Sequence, residues 1–170
     1  MDTKPVIQHQ YLAALEMLKQ AVVKCPPELW DSADDKTRFW HIVYHALFYT
    51  HLYLQDTEKD FQAWESHRDE YQFIGQTPWP PHAPPKIGEP YTRADMLVYL
   101  EFLQKHVQER VPALDLEAAS GFEWLPFGKL ELQIYTIRHI QQHAGELYER
   151  LGTRAEIELD WVDRSPDYLA

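Results

Sequence analysis

Two pairs of histidines in this sequence have the spacing of metal ligands. His139 and His143 stand four residues apart, and His41 and His45 repeat that spacing in a more apolar segment. Residues four apart on a helix have neighbouring side chains, so both imidazoles of a pair can reach one ion. Two such helices packed together could supply three nitrogens and leave one coordination position open, as in catalytic zinc sites. The alternative is metal-free: histidines that bond water, carbonyls or core neighbours.

Other catalytic chemistries lack their motifs here. The sequence has no Glu-x-x-His, His-Glu-x-x-His, glycine-rich phosphate loop or Gly-x-Ser-x-Gly. Its single cysteine, Cys25, excludes an internal disulfide and a cysteine-cluster metal site. Glu146 follows His143 by three residues and is placed to orient a ligand imidazole, although an ordinary solvated carboxylate fits equally. The remaining histidines are interpreted as solvated or locally hydrogen-bonded: His9, His51, His67, His82 and His106.

Four segments show the hydrophobic period of helices long enough to position these histidines. We expect helices over Lys4–Lys24, Ser32–Leu54, Thr92–Arg110 and Lys129–Leu151. Cys25 and two prolines end the first, and Gly152 is placed to close the last. Ser32 with Asp35, and Thr92 with Asp95, resemble capping boxes. The second segment is apolar nearly all round, which is typical of a buried helix.

The connections complete the fold prediction. Thr77–Pro90 is dense in proline and has no period, so we expect an ordered loop between the second and third helices. A loop this long permits a crossover connection. Ile157–Trp161 alternates apolar and polar residues, as an extended arm on the bundle would. We therefore predict an all-α fold, a four-helix bundle forming a single domain over residues 1–170.

Charge and hydrophobicity argue against two classes of partner, nucleic acids and membranes. The 170 residues carry a formal net charge of −11, which disfavours nucleic acid. No apolar stretch approaches the roughly 18 residues of a membrane span, so no membrane partner is expected. Met1–Pro5 lacks the basic start and apolar run of a signal peptide, and we expect a cytoplasmic protein. A homodimer is a further expectation, because the second helix is apolar on many faces.

Three blocks of the chain resemble the DinB-like, or YfiT-like, superfamily of metal-dependent hydrolases. They are FWHIVYHALFY from Phe39, EPYT from Glu89 leading into Asp95 and Leu100, and FEWLPF from Phe122 followed by RHIQQH. The resemblance spans nearly the whole chain in the family's order. It implies a four-helix bundle with crossover winding and one divalent metal ion held by three histidines. By position these ligands are His45, His139 and His143, and His41 falls outside the set as a neighbouring or structural residue.

That resemblance implies two related activities and leaves alternatives open. Zinc or nickel at the three histidines would activate water for hydrolysis of a small-molecule ester or amide. In the variant activity the metal activates a low-molecular-weight thiol for transfer to an electrophile. A different class of function is a non-catalytic stress-response or binding module that retains a metal. The only candidates for a general base are Glu131 and Glu146, so the non-catalytic alternative stays open.

Overall fold

The computed structural model describes residues 2–164 and confirms the all-α prediction. No β-strand forms within that range, where Ala119 and Gly128 make an isolated bridge. A short 3-10 helix covers Glu58–Asp60. Among the described residues the α-helices are α1 (Lys4–Lys24), α2 (Pro27–Trp30), α3 (Phe39–Tyr53), α4 (Arg93–Ala113) and α5 (Lys129–Ala155).

Four long helices enclose the core. α1 packs mainly against α4 and α5, and α3 packs against the same two helices, so α1 and α3 lie diagonally opposite. This packing is compatible with a four-helix bundle. Nearly every residue of α3 is buried, as its apolar sequence predicts. No helix in residues 2–164 is both long enough and apolar enough to cross a bilayer.

One predicted capping box is confirmed and the other is wrong. The Thr92 hydroxyl accepts from the Asp95 amide at 3.1 Å, and the Asp95 carboxylate accepts from the Thr92 amide at 2.8 Å. Ser32 and Asp35 do not cap α3, which begins at Phe39. Instead the Asp35 carboxylate pairs with Arg154 at 2.7 Å and ties the preceding turn to α5. Long-range ion pairing therefore replaces the local cap.

Two helix ends also differ from the prediction. α5 passes through Gly152 to Ala155, and Glu156 adopts the left-handed conformation in its place with φ 55°. The chain can continue because Ala155 and Ile157 pack against the core and the Ile157 amide donates to the Leu151 carbonyl at 3.2 Å. α4 likewise runs to Ala113, with Pro112 in its last turn.

The loop follows its prediction, and the arm follows it in part. Residues 77–90 form no helix, and the Thr77 amide donates to the Ala83 carbonyl at 2.9 Å, which closes a turn in the loop. From residue 156 to residue 164 the chain forms no helix or strand, and Trp161 at the end of the predicted arm is 72% exposed. Leu159 is half-buried against the core, and the Asp160 amide donates to the Gln20 side chain of α1 at 3.1 Å. The last residues of the chain lie outside the described range.

Candidate metal centre

Three histidines meet where α3 packs against α5. His45 lies in the middle of α3, and His139 and His143 lie one turn apart on α5. The Nε2 atom of His139 is 3.1 Å from Nε2 of His45 and 3.1 Å from Nε2 of His143. One nitrogen of each ring lies within 4.8 Å of the others, close enough to hold one metal ion. Within residues 2–164 no other three His, Cys, Asp or Glu side chains converge in this way.

Hydrogen bonds to the opposite ring nitrogens orient two of these rings. Nδ1 of His45 lies 2.6 Å from the Gln72 carbonyl oxygen. A carbonyl only accepts, so Nδ1 carries the hydrogen and Nε2 presents its lone pair to the centre. Nδ1 of His143 lies 3.4 Å from a carboxylate oxygen of Glu146, which favours the same tautomer. Such contacts orient ligand imidazoles in metal sites and raise their basicity.

The third ring, His139, is incompletely satisfied. Its Nδ1 atom is buried and has no hydrogen-bond partner within the described residues. Its Nε2 faces two other Nε2 atoms, of which at least that of His45 carries no hydrogen. A neutral His139 ring carries one hydrogen, on either Nε2 or Nδ1. If the hydrogen is on Nε2, then Nδ1 is a buried acceptor without a donor. If the hydrogen is on Nδ1, then Nδ1 is a buried donor without an acceptor. In both cases, and equally with a metal bound at Nε2, the Nδ1 atom of His139 is a buried polar atom without a hydrogen-bond partner in residues 2–164.

Burial keeps the three imidazoles neutral near pH 7. It lowers the pKa of His45 to about 3, with His139 and His143 adding to the effect and the Gln72 carbonyl opposing it. Burial, followed by the charge of His143, lowers the pKa of His139 to about 4. Burial also lowers the pKa of His143, although Glu146 opposes the shift. Neutral imidazole is the form that binds a metal.

The nitrogen spacing matches a metal site. In a tetrahedral site with metal–nitrogen bonds of about 2.05 Å, two ligand nitrogens lie about 3.3 Å apart. The two spacings of 3.1 Å observed here are close to that value. Three protein nitrogens fill three of four tetrahedral positions. The three histidines could therefore hold one metal ion.

Two tyrosines flank the cluster. The Tyr49 ring meets His45 edge to face at a centroid distance of 4.9 Å, and the Tyr135 ring stacks on His139 at 6.4 Å. Burial raises the pKa of Tyr49 to about 12, so its hydroxyl stays protonated at neutral pH. These rings surround the histidines with apolar surface, which strengthens electrostatic interactions at the centre.

His41 does not join the cluster. Its Nε2 lies 2.8 Å from the Tyr71 carbonyl, and its ring stacks on Trp40 at 5.0 Å. His41 and His45 thus bind two successive carbonyls, those of Tyr71 and Gln72. Sequence reasoning missed these partners, because every residue carries a backbone carbonyl and none is marked by its type. His41 therefore contacts the same segment as His45 but lies outside the cluster.

Glu146 contacts the centre, whereas Glu131 does not. The second oxygen of Glu146 lies 3.2 Å from an Arg150 nitrogen, so one carboxylate links His143 to Arg150. Glu131 is exposed in the first turn of α5, about ten residues from the histidine pair. Glu146 is thus placed to orient a ligand, as its spacing suggested.

The known proteins provide no match. No family model matches the chain, and neither the curated proteins nor the solved structures include a match.

Proposed function

We propose that this chain is a DinB-like metalloprotein that binds one divalent ion through Nε2 of His45, His139 and His143. The observation that carries the proposal is the convergence of three neutral Nε2 atoms at ligand spacing. The proposed fold is the crossover four-helix bundle of that family. Among the long helices, α1 is followed directly by α3. Simple up-and-down winding would make these successive helices neighbours. Their diagonal placement therefore supports the crossover winding.

The proposed activity is the activation of a nucleophile at the open position. A bound zinc or nickel ion supplies Lewis acidity, which lowers the pKa of a water or thiol ligand. The protein's residues provide the setting. Gln72 and Glu146 orient two of the rings, and burial keeps all three rings unprotonated. The substrate class is a small electrophile, attacked by water in the hydrolase version and by a low-molecular-weight thiol in the transferase version.

Cobalt substitution tests the open position directly. Cobalt(II) in place of the native metal gives visible bands that report coordination number, and a thiolate ligand adds a charge-transfer band. We expect a spectrum with three nitrogen ligands that changes when a small thiol is added. The His139→Ala variant should lose the spectrum, whereas His82→Ala, which removes an exposed loop histidine, should keep it.

Activity assays then separate the two versions. Thiol-dependent loss of a halogenated aromatic, with the thioether as product, would support the transferase. Cleavage of an ester by water without thiol would support the hydrolase. A cobalt centre with four protein ligands and no response to thiol or substrate would contradict both, and would favour the module that only retains a metal.

A further inference from the structure

A second cluster of histidines and aromatic rings lines a cavity outside the metal centre. The cavity has a volume of about 580 Å³, is partly open to solvent, and is bordered by α3, α4, the end of the 3-10 helix and the segment that follows it. This size suits a small organic ligand. His51 lies on its wall, six positions after His45 on α3, which places the two side chains about 120° apart around the helix. None of the three clustered histidines lines this cavity.

The lining combines aromatic rings with negative charge. Phe102 and His106 stack at a centroid distance of 5.4 Å, and Phe102 remains 38% exposed although it is a large apolar residue. Two exposed acidic residues, Asp60 and Glu65, also border the cavity, and no lysine or arginine is among its lining residues in the described chain. Aromatic faces and carboxylates both attract cations, and they do so together in sites for organic ammonium groups.

The histidines on the wall do not offset that negative charge. Burial, with a contribution from His106, lowers the pKa of His51 to about 3, and burial also lowers the pKa of His106. Arg110 contributes to the His106 shift, but its guanidinium is paired with Asp56 at 2.9 Å. Both imidazoles are therefore neutral at pH 7, and the cavity keeps the net negative charge of its two carboxylates.

Hydrogen bonds order the polar wall. The Gln55 amide donates to Nε2 of His106 at 3.0 Å and to the His51 carbonyl at 3.0 Å, which leaves the hydrogen of His106 on Nδ1. Nδ1 of His51 lies 3.1 Å from the Tyr99 hydroxyl. The carboxylate of Asp60 accepts from the Thr57 amide and hydroxyl. These contacts fix the groups that a guest would meet.

We propose that this cavity binds a small organic cation, a protonated amine carried on an aromatic or similarly apolar body. The ammonium group lies toward Asp60 and Glu65, and the apolar body lies against Phe102. A bare metal ion is a poor guest, because no three ligand atoms converge here within residues 2–164. The proposal is independent of the metal centre.

Calorimetric titration of the full-length protein with three matched probes tests the proposal. Phenethylamine is cationic at pH 7, phenethyl alcohol is its neutral counterpart, and phenylacetate is anionic. We expect one saturable amine site per chain, with the alcohol binding at least about tenfold weaker and phenylacetate weaker still. Equal binding of amine and alcohol would overturn the proposal, as would no amine binding up to about 10 mM.

Variants locate the site. Replacing both Asp60→Asn and Glu65→Gln should weaken the amine by about tenfold and leave the alcohol unchanged. The control pair Glu117→Gln and Glu123→Gln makes the same change in net charge on exposed residues outside the cavity and should leave amine binding intact. Phe102→Ala should weaken both probes.

One more variant separates this site from the metal centre. His139→Ala should leave amine binding unchanged, because His139 does not line the cavity. Loss of amine binding in His139→Ala, with retention in Phe102→Ala, would place the amine at the metal centre and overturn the proposal. Equal weakening by the cavity pair and the control pair would also overturn it, since net charge alone would then explain the binding.

Discussion

The buried amino group of Lys129 should be a main determinant of how α3 and α5 are held together. Lys129 begins α5 and is only 2% exposed. Its Nζ donates to the Gln55 carbonyl at 2.9 Å and the Asp56 carbonyl at 2.7 Å, both just after α3, and also to the Ser120 carbonyl. An ammonium group has three donors, so these acceptors use all of them.

The Lys129→Met variant should therefore lose about 3–5 kcal/mol of unfolding free energy. Methionine keeps most of the volume but leaves three carbonyls without their donor, and each unmet buried acceptor costs about 1–3 kcal/mol. Removing one partner from a buried charged pair lowers the free energy of unfolding by a similar amount, about 3–5 kcal/mol. Burial lowers the pKa of Lys129, and the nearby charge of Asp56 opposes that shift.

Urea denaturation followed by circular dichroism measures this loss. Lys105→Met is the matched control, because Lys105 is exposed on α4 and pairs only with Glu101 at 3.1 Å. We expect the control to lose less than about 1 kcal/mol. Lys129 also fixes the start of α5, the helix that carries His139 about 15 Å further along. The Lys129 variant should therefore bind zinc more weakly. Equal losses in the two variants would refute the reasoning.

Three further predictions concern the turn, the carboxylate and pH. Gly121→Ala should cost about 2 kcal/mol or more in urea denaturation, because φ is +86° and a Cβ would lie 1.9 Å from the Asp56 carbonyl oxygen. Glu146→Ala should weaken zinc binding in calorimetry by about tenfold by releasing His143, whereas Glu149→Ala on the same helix should not. Between about pH 6.5 and pH 4 the unfolded chain protonates His51 and the folded chain does not, so stability falls as pH falls. The contribution of His51 is up to about 1.4 kcal/mol per pH unit, and His45 and His139 act in the same direction. His51→Gln should therefore reduce the slope in urea denaturation without abolishing it.

Local sequence patterns predicted the helices because each long helix has a sustained apolar period. α1 matches its predicted range, and the Thr92–Asp95 cap is present. The errors occur where distant residues decide the structure. Asp35 pairs with Arg150 and Arg154 of α5 instead of capping α3. The helix α5 continues past Gly152 because residues after Gly152 pack against the core. No local pattern contains these interactions.

The candidate site was predictable only in part for the same reason. The spacing of His139 and His143 placed two imidazoles on one face, and the resemblance selected His45 as the third. The partners of the rings were harder to predict, because Gln72 acts through its backbone carbonyl. Lys129 was also missed, since a lysine in a first helical turn is ordinarily solvated. The amine cavity joins three segments whose approach depends on the tertiary fold.

Metal content measured by elemental analysis tests the central claim most directly. The protein should be purified without a histidine tag, equilibrated with zinc or nickel, and freed of excess metal. We predict one ion per chain in the unmodified protein and in His82→Ala, and a sharp loss in His45→Ala, His139→Ala and His143→Ala. Full metal retention in all three single variants would contradict the account.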